Sequence, residues 1–446
     1  MLSADSMSKE NTPRPGVSLL TATAVVVANM IGTGVFTSLG YQVGGLPSGF
    51  AIAMLWAVGG LCAFCGALAY GELAAAMPRS GGEYHFLSRI FHPAAGFVAG
   101  WLSATVGFAA PIALAAMAFG KYFTGIFPST SALHLSIGVS VLVTLIHLCG
   151  IQIAARFQNL ATWGKVTLIL IFIVAGALLG EGQPVSFLPV PGDGALIASQ
   201  PFAISLVYVM YAYAGWNAAT YIIGEIRDPK RNVPMAIALG TGLVAVLYVA
   251  LNGIFLYAAP MSALEGKIEV GHVAADYIFG KVGGNLRSGL ICLGLVSSIS
   301  AMTWVGPRVT MAMGQDLVLL RPFAVKSASG VPVVALLFQL LIVVVLLKTA
   351  SFDSVMNYVQ FSIQLCSFAT VLGMIILRWT QPDLPRPIRC WGYPITPLIF
   401  LGISLWMLIF VWKERPTESL AGLGTMVVGL LLYAISPKRK ADPTNV

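Results

Sequence analysis

Read for hydrophobic and polar positions, the chain is a succession of long apolar stretches joined by short polar connections, from residue 18 to residue 436. At about 1.5 Å of helix rise per residue, stretches of about 20 residues span a hydrocarbon core about 30 Å thick. The pattern predicts about twelve membrane helices, over residues 18–41, 48–77, 94–120, 135–150, 159–180, 200–224, 235–258, 286–306, 331–349, 355–377, 395–412 and 419–436. No connection has room for a soluble domain. The polar residues 1–17 are expected to form a cytoplasmic tail, and the apolar run after them to be a retained span, since it is too long for a secretory signal and lacks a cleavage signature. Residues 437–446 are expected to form a second cytoplasmic tail.

Two spans are interrupted at corresponding places. In "VVVANMIGTGVF", residues 25–36, Gly32, Thr33 and Gly34 break the first, and in "VYVMYAYAGWNAAT", residues 207–220, Gly215 follows an aromatic cluster in the sixth. Broken helices in matching positions of two halves mark the binding sites of secondary transporters. The interval is five helices, an odd number, so the second copy enters the membrane from the opposite face. The expected organisation is an all-α membrane protein with residues 18–180 as helices 1–5, residues 200–377 as the inverted helices 6–10, and residues 395–436 as two further helices.

Composition agrees: of 446 residues, 57% are hydrophobic and 9% charged, against roughly 25% charged in soluble domains. Alternate connections divide the basic residues unequally. Seventeen Lys and Arg lie on the side of the first residues and seven on the other, with Lys165 alone inside a span, together all 25. The rule that cytoplasmic loops are basic places both termini in the cytoplasm. It also accounts for the net charge of +8 without a nucleic-acid partner. The six cysteines lie mostly in or beside apolar spans, where a thiol packs as a small hydrophobe. Cys62 and Cys65 form a C-x-x-C without partner pairs, and the five histidines are scattered, so neither a metal nor a cofactor is expected.

An interior glycine costs a helix about 1 kcal/mol relative to alanine, and an opened turn in lipid strands peptide groups that need polar partners. A zwitterion supplies them. Its carboxylate can accept from the amides near Thr33 and Gly34, at the positive end of the second half-helix, and its ammonium can be held by carbonyls around Tyr211 and Ala214. The competing explanation is close helix packing at small residues.

The motifs carry a resemblance. "MIGTGVF" at residues 30–36 and "YAYAGWN" at 211–217 resemble the first- and sixth-helix motifs of the amino acid, polyamine and organocation (APC) transporter superfamily. "PRSGGEYHFL" at 78–87, "GEIRDPKRNVPMAI" at 224–237 and "GPRVTMAMGQD" at 306–316 are similar to its loops, especially in the L-type amino acid transporter branch, which the chain resembles alongside bacterial amino acid permeases. The resemblance implies a leucine-transporter-type fold and alternating access. It implies that Ile31, Thr33 and Gly34 bind the substrate carboxylate, that carbonyls of Met30, Tyr211 and Ala214 take the amino group, that Trp216 and Asn217 shape and gate the pocket, and that Trp304 contributes to its wall. Animal members of the L-type branch join a glycoprotein heavy chain through a cysteine after the third span. "GKYFTGIFPSTSALH" has none, so no disulfide-linked partner is expected. The usual "ARDG" after the eighth span reads "MGQD" here, at Met313 to Asp316.

Lys165 is the one charge deep in the apolar pattern, and ionisable groups at that depth default to functional candidates. Snorkelling to the surface is the bland alternative. By resemblance, its ammonium occupies the place where sodium-driven relatives hold a cation, bridging a carbonyl near Ala28 and hydroxyls such as Ser297 or Ser300, with its proton coupled to opening and closing. No Asp or Glu lies mid-span, and the expected wall of Tyr208, Trp216, Asn217 and Trp304 fits a neutral amino acid better than a cationic one. Glu72, Glu83, Glu225 and Arg231 are candidates for a cytoplasmic gate network, or else interface anchors.

The function expected is sodium-independent, proton-coupled transport of neutral L-amino acids in a cell membrane, with bacterial inner membrane favoured by the short loops. The alternative is exchange of neutral or cationic amino acids. A passive channel lacks a ring-forming filter motif. An enzyme lacks paired carboxylates, a nucleophile constellation or a metal cluster. A nutrient sensor would need signalling domains that the short tails do not provide.

Overall fold

The computed structural model describes residues 16–267, 269–280, 284–349, 352–414 and 416–436. The expected tails fall outside these, apart from residues 16 and 17. Among the described residues the chain is helical, with one isolated bridge between Val17 and Ile226.

The first span is split into α1 (Leu19–Met30) and α2 (Gly34–Gln42). Then follow α3 (Gly49–Ala76), the short α4 (Glu83–Ile90), α5 (Pro93–Leu102), α6 (Ala109–Ile126), α7 (Ala132–Leu148) and α8 (Ile151–Leu179). The second half comprises α9 (Asp193–Ile197), α10 (Gln200–Tyr213), α11 (Pro229–Ala258), α12 (Met261–Leu264), α13 (Val270–Phe279), α14 (Gly284–Asp316), α15 (Val333–Thr349) and α16 (Phe352–Thr380). Helices α17 (Ile395–Glu414) and α18 (Pro416–Ile435) complete the chain.

Each expected span corresponds to a helix or a broken pair. Among the described residues seven segments are long and apolar enough to cross a membrane, including Leu19–Gln42 and the Pro93–Thr124 run through α5 and α6. Helices α7, α15 and the Ser419–Ile435 part of α18 are apolar but shorter. Serines open several of them: Ser18, Ser48 and Ser199 accept the amides of Thr21, Ala51 and Phe202, satisfying donors that a membrane helix cannot leave bare.

Packing pairs helices five spans apart. Helix α3 lies against α11, α6 against α14 and α7 against α15. The contact of α14 with α8 is mirrored by that of α6 with α16, and that of α1 with α11 by that of α10 with α3. The broken helices occupy the centre: α1 is buried from Thr21 to Met30, packed on α8, α11 and α14.

Candidate functional site

The two breaks face each other. Residues Ile31 to Thr33 are non-helical between α1 and α2, and α10 ends at Ala214, where Gly215 turns the chain at φ +98°. Beyond it the backbone runs in short 3-10 turns, Ala218–Tyr221 and Ile223–Glu225, instead of resuming an α-helix. The glycines serve close approach and opening separately. A Cβ on Gly34 would stand 2.8 Å from the Cα of Ala212, and one on Gly215 would stand 2.9 Å from the carbonyl oxygen of Asn29, whereas one on Gly32 would meet nothing within 4 Å.

A cavity of about 90 Å³ lies between the breaks. Met30, Thr33 and Gly34 line it from the first, and Tyr211, Ala214 and Asn217 from the second. The amides of Thr33 and Gly34 have no backbone acceptor among the described residues, which leaves the start of α2 as an open anion-accepting end. The Tyr211 and Thr33 side chains line the cavity from the two breaks.

The carbonyls differ from the expectation. Met30 already accepts from the Gly32 amide at 2.8 Å and from the Tyr248 hydroxyl at 2.7 Å, so both its lone pairs are used. Tyr211 accepts from the Ala214 amide at 3.0 Å. The carbonyl of Ala214 has no donor among the described residues.

Both tryptophans expected at the pocket face elsewhere. Trp216 packs edge-on against Tyr70, 4.7 Å between centroids, and against Phe400 of α17, at 5.9 Å. Trp304 is fully buried and donates from Nε1 to Glu225 at 2.9 Å. Neither lines the cavity. Tyr208 also lies outside it, stacked on Tyr41. The wall comes instead from Phe108, Pro111 and Ser103 beside a π-helical turn at Ser103–Gly107, from Met302 of α14, and from Ile363 and Cys366 of α16.

Lys165 donates to the carbonyl of Ile31 at 2.7 Å and to Ser298 Oγ at 3.0 Å, and Ser298 donates to the same carbonyl at 2.6 Å. The bridge therefore forms at the break itself, not one turn earlier at Ala28. The expected serines are engaged elsewhere, Ser297 with Thr162 at 3.3 Å and Ser300 with His147 at 2.9 Å. The ammonium is buried rather than snorkelling, and the stem lines a second, apolar cavity of about 140 Å³.

The polar residues proposed as one gate are dispersed. Glu225 pairs with Arg308 at 2.8 Å. Glu72 pairs with Arg378 at 2.8 Å and accepts the amide of Cys390. Arg231 is exposed. Asp316, in the altered "MGQD" segment, binds Arg79 and the Tyr84 hydroxyl, each at 2.7 Å, joining the end of α14 to the start of α4. Glu83 lines the cavity between the breaks, a placement that its position in a polar loop concealed.

Residues 17–432 match the family model described as amino acid permease. The chain belongs to the amino acid permease family. This permease is 29% identical to the large neutral amino acids transporter small subunit 2 of Oryctolagus cuniculus, over 94% of its own length and 79% of that protein. It is 26% identical to the b(0,+)-type amino acid transporter 1 of Mus musculus, covering 94% and 87% of the two chains. Against the Asc-type amino acid transporter 1 of Mus musculus the identity is 25%, with 96% and 82% covered. The permease is thus an amino acid transporter of the multi-pass membrane class, and the matched family and relatives are transporters rather than enzymes.

Proposed function

We propose that this permease moves neutral L-amino acids by alternating access, driven by protons and independent of sodium. The observation that carries the reading is the cavity between the two helix breaks, open amides of Thr33 and Gly34 on one side and the Ala214 carbonyl on the other. These offer a donor end for a carboxylate and an acceptor for an ammonium, with Asn217 alongside. The apolar lining of Phe108, Pro111, Met302 and Ile363 suits an uncharged side chain. The name of one relative, the large neutral amino acids transporter small subunit 2, states the same ligand class.

Independence from sodium rests on Lys165. Its ammonium holds the Ile31 carbonyl and Ser298 hydroxyl, two oxygens that would otherwise face a cation. In this reading residues 18–180 and 200–377 are the two inverted repeats, with 395–436 outside them. Both termini face the cytoplasm, on the charge asymmetry of the connections. The chain works without a disulfide-linked heavy chain: although a relative is named a small subunit, residues 120–134 contain no cysteine, and the exposed Cys149 lies at the opposite end of α7.

The test is counterflow and uptake of a panel of radiolabelled amino acids in proteoliposomes, with and without an inward proton gradient and with sodium replaced by choline. Gradient-driven accumulation of neutral amino acids, unchanged in choline, is expected. Uptake that requires internal substrate would replace proton symport with exchange, and competition by no amino acid would reject the reading.

A further inference from the structure

Among the described residues Glu83 is a carboxylate paired with no cation. It sits at the first position of α4, in a segment between two spans, yet is 3% exposed and lines the cavity between the helix breaks. Its Oε1 accepts from the Tyr70 hydroxyl at 2.6 Å, from Ser367 Oγ at 2.9 Å and from Asn217 Nδ2 at 3.4 Å. Among the described residues Oε2 has no donor, and no Lys, Arg or His pairs with the group.

The side chains that touch the carboxylate are uncharged. Helix α3 presents Tyr70, the segment after α10 presents Asn217 and Tyr221, and α16 presents Cys366 and Ser367. Charged residues on the neighbouring segments are paired away from it, Arg79 with Asp316 and Glu72 of α3 with Arg378 of α16, while on α4 itself Arg89 is exposed and His85 is buried without bonding the carboxylate. A buried carboxylate without a cation is costly as an anion and is relieved by taking a proton. A group tied at Oε1 by three donors keeps Oε2 for that proton.

We propose that Glu83 carries the transported proton, holding it while the cavity is closed and releasing it to water when the bundle opens at the end near residues 78–83. The step is one proton transfer: the Oε2–H bond breaks, the proton goes to water, and the carboxylate left behind is hydrated in the opened state. Burial is the cause of the affinity, pushing Glu83 up to about 7 against the opposing hydrogen bonds of Tyr70 and Ser367. The group therefore changes charge within the range a cell membrane maintains across its two faces. The fold supplies a path: Tyr70 and Asn217, both bonded to Glu83, move with α3 and with the broken sixth span respectively, so opening alters the donors that hold it. This assignment rests on the transport reading above and deepens it.

Two measurements test it. Infrared difference spectra of the purified protein in lipid, stepped between about pH 5 and about pH 9, read carboxylic-acid groups directly. A C=O band titrating near 7, missing in Glu83→Gln and moved but present in Glu83→Asp, is expected. No such band, or one unchanged in Glu83→Gln, overturns the assignment. In proteoliposomes, the pH profile of L-leucine counterflow is expected to flatten in Glu83→Gln, with proton-driven accumulation reduced at least tenfold, while Glu83→Asp keeps a displaced profile. A Glu83→Gln protein that accumulates leucine on a proton gradient with the wild-type profile overturns it. Absence of counterflow for every amino acid in the wild type would overturn the transport reading instead, and the infrared band would still decide whether Glu83 titrates.

Discussion

Lys165 Nζ stands 2.7 Å from the carbonyl oxygen of Ile31, at the residue where the first membrane helix stops being a helix. Ser298 shares that oxygen from α14. One opened peptide group thus joins three spans. Lys165→Ala leaves the carbonyl with Ser298 alone and removes a charge-assisted bond worth about 1.5–3 kcal/mol. Uptake in proteoliposomes is expected to fall at least tenfold, with a folded, inserted protein by size-exclusion chromatography. Full uptake by the variant would remove Lys165 from the mechanism.

The first-span glycines separate packing from binding. Gly34→Leu drives a side chain into Ala212 and is expected to abolish transport. Gly32→Ala meets nothing within 4 Å, so it should fold normally and raise KM several-fold through the cavity it lines. Measuring both KM and thermal stability distinguishes them: a Gly32→Ala protein with wild-type KM would take that glycine out of the site.

Arg308 is buried beside Glu225 and also donates to the Trp304 carbonyl at 2.9 Å. Removing one partner of a buried pair costs about 3–5 kcal/mol. Arg308→Met is therefore expected to lower the unfolding midpoint markedly, whereas Arg231→Met, at an exposed position, should leave it within error. Equal effects would mean that the Glu225 pair carries no special weight.

Glu83 also predicts how stability follows pH. Its folded value is raised to about 7 from an ordinary 4.5, so the folded protein binds this proton more tightly than the unfolded chain. The stabilisation is complete below about 4.5 and is lost as pH rises through about 7, a contribution of about 3 kcal/mol. Unfolding scans across that window should show the decline in the wild type and its absence in Glu83→Gln. A parallel decline in both would assign it to other groups.

Much of this architecture was legible from residue patterns. Apolar length marks the spans, and the peptide groups freed at Gly32 to Gly34 and at Gly215 mark the breaks, because lipid tolerates no unsatisfied backbone. Rotation about a helix axis was less legible. Ser297, Ser298 and Ser300 are close in sequence but point in different directions at about 100° per residue, and only Ser298 reaches Lys165. Trp216 follows a non-helical turn, so no helical phase foretells that it faces Tyr70 and Phe400. The polarity of the connection before α4 concealed Glu83, since a loop folded back into the bundle has the same composition as one facing water. Tyr248 gave no signal at all, being one more aromatic residue in an apolar helix.

That tyrosine has a mechanical consequence. Its hydroxyl reaches the carbonyls of Met30 at 2.7 Å and Ala212 at 3.1 Å, one from each interrupted span. Tyr248→Phe would remove the one proton these carbonyls share, leaving Met30 with the Gly32 amide and Ala212 without this donor, at a cost of about 1–3 kcal/mol, visible as a lower melting temperature. While the bond holds, α1 and α10 are riveted at their inner ends through α11. A tilt of either half alone has to break this contact, so the Tyr248 hydroxyl sets a small common cost on separating the two interrupted helices.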